Sequence, residues 1–120
     1  MKKVKSTNSL LLQNLMKTLN QQFGIKLDYR PYDPAFPEYG EPRPADLVCC
    51  IDVLEHIEPA FVENVLDDLQ RVTAGVGVFT VDTGPAMKIL PDGRNAHLIL
   101  KPVAWWLPKF LDRFELNRFE

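Results

Sequence analysis

The stretch ADLVCCIDVLEHIEP, residues 45 to 59, sets a continuous apolar run between two acids and follows it with a polar exit. An apolar run of this length, bounded by Asp46 and Asp52, reads as a strand buried on both faces, the pattern of a central strand in a parallel sheet. Ala45 to Ile57 is therefore expected to be a buried strand that ends in a carboxylate-bearing turn. Successive side chains on a strand point to opposite faces, so the adjacent Cys49 and Cys50 neither bridge nor share a metal and read as small buried hydrophobes.

Downstream, Pro59 is pre-set for a first helical turn. Val62, Val65, Leu66, Leu69 and Val72 then form an apolar face opposite Glu63, Asp67, Asp68 and Arg71. After Ala74 and Gly75, the segment VGVFTV (Val76 to Val81) is strand-like again and closes with Asp82, Thr83, Gly84 and Pro85. Strand, helix and strand make a βαβ unit, in which the strands are parallel and ligands bind outside their carboxyl ends. The residues at those ends are Tyr32 and Asp33, Asp52 to His56, and Asp82 to Pro85.

Upstream, Leu12, Leu15, Met16, Leu19 and Phe23 recur at helical spacing, with N-cap side chains at Ser6 to Ser9 and a stop at Gly24. Ile25, Leu27 and Tyr29 alternate as in a strand over Ile25 to Tyr32. Residues 31 to 44 hold five of the ten prolines together with Gly40 and read as a surface loop. Beyond Val81, a long connection (Ala86 to Lys101) leads to a short helix around Ala104 to Arg113. Pro108 sets its start no earlier than about Val103, and a last strand is expected over Phe114 to Phe119.

The bulk properties fit one α/β domain over residues 1 to 120, with 46% hydrophobic and 25% charged residues. A net charge of -2 provides no global field toward nucleic acid or an anionic membrane, and the Lys2, Lys3, Lys5 cluster reads as a solvated end. No apolar stretch approaches the ~20 residues of a membrane span, and no signal peptide is read at the start, so the expected compartment is the cytoplasm. The spacing of a serine nucleophile elbow, a zinc histidine pair or a phosphate loop is not found.

The DVLEH of Asp52 to His56 resembles the motif after the fourth strand of class I S-adenosylmethionine-dependent methyltransferases. The YDPA of Tyr32 to Ala35 is similar to the end of that family's second strand, and the likeness extends over Leu10 to Phe119. The resemblance implies a partial Rossmann-like, mostly parallel sheet flanked by helices, with S-adenosylmethionine as cofactor. Asp33 would accept hydrogen bonds from the ribose hydroxyls, since a carboxylate takes two donors. Asp52 would lie beside the methionine part, with Leu54, Glu55 and His56 shaping the pocket floor.

One feature of the family is missing. Its glycine-rich loop after strand one lets the backbone approach the cofactor. Here Lys5 to Ser9 stand at that position and only Met1 to Val4 precede them, so strand one is expected to be reduced or absent. Unpaired interior strand edges are costly. Met1 to Lys5 forms a short substitute, strands two and four pair directly, or another chain supplies the strand, the last predicting an oligomer.

Each candidate also has a plainer reading. Asp33 precedes a proline and suits an ordinary turn, while Asp52 and Glu55 suit a strand end and a first helical turn. His56 suits a cap or a packing position, and Trp105 and Trp106 suit core or interface. In LPDGRNAHL (Leu90 to Leu98), Asp92, Asn95 and His97 are the candidates for orienting a methyl acceptor or taking its proton, against an exposed Asp-Gly turn. The expected function is methyl transfer to an acceptor the sequence does not name. The alternatives are a non-catalytic relative that oligomerises or partners another subunit, and a weak S-adenosylmethionine sensor or sink.

Overall fold

A computed structural model describes residues 7 to 120 of the chain, with side chains from residue 13 onward. The chain divides into two compact units that part between Glu41 and Pro42, inside the proline-rich stretch. The expected substitute strand at Met1 to Lys5 and the cap at Ser6 lie outside the described residues.

The first unit is built on α1 (Thr7–Phe23). Gly24 ends it with φ 67°, and its N–H donates to the Asn20 carbonyl at 3.0 Å, so a left-handed residue satisfies a carbonyl the helix leaves open. Residues 25 to 32 form no strand, contrary to their alternating pattern. Alternation defines two faces, but a strand also needs a paired neighbour, and among the described residues this segment has none. Pro37–Tyr39 makes one 3₁₀ turn, and Phe36 and Tyr39 pack edge to face at 5.9 Å.

The second unit is an α/β arrangement with a small two-stranded parallel sheet flanked by helices. β1 (Ala45–Ile51) runs parallel to β2 (Thr73–Thr80), with Leu47 opposite Val76 and Ile51 opposite Thr80. The register shifts between Ala45 and Leu47. There a Cβ on Gly75 would stand 2.4 Å from the Asp46 carbonyl oxygen, so only glycine lets the two backbones come this close. α2 (Val62–Val72) connects the strands after a 3₁₀ turn at Pro59–Phe61.

The sheet is covered on one side. β2 partly buries Gly77 and Phe79 while Val76 and Val78 on the other face are 55% and 45% exposed. Leu47 of β1 is 52% exposed as well, so the expectation of a strand buried on both faces is met on one face only. The physical reason is the number of layers: within this unit the helices pack against one face, and the other is left about half exposed.

Leu54, Val62, Leu66, Ile99 and Trp106 form the core, with Cys50, Val65, Leu69 and Phe110 packed against it. α3 (Val103–Leu111) contributes Trp106 and begins no earlier than the expected Val103. Pro108 sits past the first turn and withholds one helical hydrogen bond, so tertiary contacts hold α3. Phe79 stacks on Phe110 at 5.6 Å and meets Phe114 at 5.0 Å. Arg113 reaches back to α2, donating to Asp67 at 2.8 Å and Glu63 at 2.6 Å, and Lys109 pairs with Glu63. These bonds hold the Glu63 carboxyl below its ordinary range, Lys109 first and Arg113 second. Residues 114 to 119 form no strand, with bends at Phe114 and Asn117. None of the described helices is long and apolar enough to cross a membrane.

Candidate functional site

β1 ends at Ile51, and Asp52 turns the chain with φ 52°, the one non-glycine residue in the left-handed region among the described residues. Asp tolerates this conformation better than most residues, though at some cost in strain. Its N–H donates to the Thr80 hydroxyl at 2.9 Å, and that hydroxyl donates to the Asp52 carboxylate at 2.8 Å. The carboxyl ends of the two strands are thereby tied to each other. Both groups stay exposed.

Leu54–His56 then makes a 3₁₀ turn that sends its first two side chains inward and the third outward. Leu54 fills the core and Glu55 is buried beside it, both with no exposed surface, while His56 faces out. Neither carboxylate oxygen of Glu55 has a hydrogen-bond partner. A carboxylate buried in this way costs several kcal/mol unless a donor or a cation meets it. Burial first, and then the charge of Glu55 and the neighbouring Cys49, push the Cys50 thiol up to about 12, which keeps it a neutral core residue.

The segment from Ala86 to Ile99 folds over this turn. Asn95 organises it: the side-chain oxygen accepts from the N–H groups of Ala86 at 3.0 Å and His97 at 2.9 Å, and the side-chain amide donates to the Ala86 carbonyl at 2.9 Å. Ile89 and Asn95 pair antiparallel, closing a tight loop whose Gly93 has φ 87°. The Ile99 N–H donates to the Glu55 carbonyl at 3.0 Å, fixing loop to turn.

At the tip, Arg94 grips Glu58 through both terminal nitrogens at 2.9 and 2.8 Å and Asp92 through Nε at 2.8 Å. The Arg94 bonds hold the Glu58 and Asp92 carboxyls below their ordinary ranges, for Asp92 led by the Arg94 backbone N–H.

The loop carries His97 inward, 8% exposed, against His56. The two imidazoles meet edge to face with centroids 4.7 Å apart. His97 Nδ1 lies 2.6 Å from the Gly84 carbonyl and His56 Nδ1 lies 2.9 Å from the Ala96 carbonyl. A carbonyl only accepts, so in both rings Nδ1 carries the hydrogen.

Of the candidate residues, the structure brings together Asp52, Leu54, Glu55, His56 and His97. Asp92 and Asn95 belong to the same loop, but their polar atoms are engaged in holding it. Asp33 falls in the first unit, where its carboxylate accepts from the Ala35 N–H at 2.9 Å and it lines an open groove of about 450 Å³ with Tyr32, Phe36 and Glu41. Thr80 and the carbonyls of Gly84 and Ala96 were missed by sequence reasoning. Thr80 ends the VGVFTV strand and so had a positional signal; the carbonyls had none.

Comparison with known proteins finds no family model that matches the chain, no curated protein similar to it and no similar solved structure.

Proposed function

We propose that the protein is of the S-adenosylmethionine-dependent methyltransferase type and that the turn after β1 holds the methionine end of the cofactor. The observation that carries this reading is Asp52. Its strained backbone and exposed carboxylate stand at the carboxyl edge of a parallel βαβ unit, where open α/β sheets take their ligands. A sulfonium and an α-amino group are both cationic, and a carboxylate held in place by Thr80 suits them. The cofactor would supply the methyl group for in-line displacement, and the chain would position the acceptor and keep water away. The DVLEH of Asp52 to His56 also supports the assignment. The family's glycine-rich loop has no counterpart in the sequence, so the residues fit one half of the cofactor and not the other.

A second reading has its own support. Leu47, Val76 and Val78 leave an apolar sheet face about half exposed, and Asn95, a candidate for the acceptor, is wholly engaged in loop structure. Both features suit a non-catalytic relative that associates with itself or with another chain.

Calorimetric titration with S-adenosylmethionine and with its demethylated product separates the two. The first reading expects low-micromolar binding that Asp52→Ala abolishes. No detectable heat at millimolar ligand sinks it. Light scattering tests the second, since a strict monomer at high concentration excludes self-association.

A further inference from the structure

The sequence contains two histidines, and the fold brings both to one place. We propose that Glu55, His56 and His97 form a binding site for a divalent transition-metal ion of the zinc class, a site that shares Glu55 and His56 with the DVLEH turn but does not rest on the methyltransferase reading. One ligand atom from each residue lies within 4.8 Å of the others.

Three observations carry the proposal. The first is the Glu55 carboxylate, which is fully buried with both oxygens unpartnered. Such a group calls for a cation, and Arg94 of the covering loop is engaged by Glu58 and Asp92. The second is the state of the rings. With Nδ1–H directed at the Gly84 and Ala96 carbonyls, Nε2 is the nitrogen each ring has left to offer a metal. A backbone carbonyl on the far nitrogen is the usual outer support of a metal-bound histidine, fixing tautomer and ring direction. The third is placement. Glu55 and His56 are fixed by the 3₁₀ turn after β1, and His97 by the Asn95 hydrogen bonds, so rigid elements hold two of the three ligands inside the fold.

Two imidazoles and one carboxylate are a zinc-type set that leaves a fourth position for water or a substrate oxygen. Ligand atoms about 2.0 to 2.1 Å from one tetrahedral ion stand roughly 3.3 Å from each other. The three ligand atoms, within 4.8 Å of one another, would close by up to about 1.5 Å on binding. Cys50 packs against the core cluster and is not among the grouped ligand atoms.

The test uses the 120-residue chain without a tag, in which the imidazoles are those of His56 and His97. Zn²⁺ alone is titrated calorimetrically, and Co²⁺ is followed by its visible absorption. The expected results are one ion per chain, the intense visible bands of four-coordinate Co²⁺, and a raised thermal midpoint with Zn²⁺. Glu55→Gln and His56→Ala should each weaken binding about tenfold or more. Both variants are chosen to fold, one being nearly isosteric and the other exposed, and circular dichroism checks it. Absence of binding at millimolar Zn²⁺, binding that both variants leave unchanged, or a near-ultraviolet thiolate-to-cobalt band would each overturn the proposal. None of these outcomes depends on whether S-adenosylmethionine binds.

Discussion

Glu55 and Glu58 stand three residues apart and meet opposite fates. Glu58 is half exposed and gripped at both oxygens by Arg94. Glu55 has no exposed surface, and neither of its carboxylate oxygens has a hydrogen-bond partner. An exposed carboxylate can always fall back on water, so its ion pair adds little. A buried one has no such recourse, so the unpaired group is the one from which function is expected. The difference shows that partner count alone misleads: the well-connected acid staples a loop, and the isolated one marks the site.

The largest effect on this contrast should come from Leu54→Ala. Leu54 packs in the core immediately before Glu55, and its truncation should cost about 2 to 5 kcal/mol in urea unfolding. A loss below about 1 kcal/mol would mean that the turn after β1 is not anchored by packing. Next, Asn95→Ala removes three hydrogen bonds that hold His97 in place, with an expected loss of about 1 to 3 kcal/mol. Unchanged stability would show that the loop is set by the Arg94 staple instead.

Glu55→Met tests the other side. In the presence of chelator it should leave stability unchanged or raise it by about 1 to 3 kcal/mol, because an unpartnered buried carboxylate is replaced by an apolar group. A clear fall in the thermal midpoint would show that Glu55 has a stabilising partner within the fold.

The smallest effect is expected from the Glu58, Asp92 and Arg94 staple. The folded carboxyl values lie below their ordinary 4.5 and 3.8. Stability from the pair is therefore present above about pH 4.5 and lost as pH falls through the lowered folded values. Glu58→Gln should flatten that part of the acid unfolding profile while changing the midpoint at neutral pH only slightly, since the pair is exposed. An equal acid limb in variant and parent would remove the staple from the comparison.

Much of the second unit was legible. Apolar periodicity named α2, the two strands and α3 within a few residues, because those segments face a core that rewards one period. The failures have physical causes. Residues 25 to 32 alternate correctly yet form no strand, and Leu47, Val76 and Val78 are apolar yet half exposed. In both cases the sequence records a face, and a partner decides whether that face is used. Asp52, Glu55 and His56 were identifiable from position at a strand exit. Their grouping with His97 was not, because neither histidine has a near neighbour of its own kind in sequence.

The sequence by itself determined the local matters: where helices start and stop, which side chains alternate, that Asp52 ends a strand and that Asn95 sits in a turn-rich loop. These depend on contacts within a few residues. Only the tertiary structure decided that Glu55 is buried without a donor, that Asn95 is occupied by its own loop, and that His97 returns to His56. Those outcomes depend on how a distant loop closes over a turn, and no short-range pattern encodes the closure.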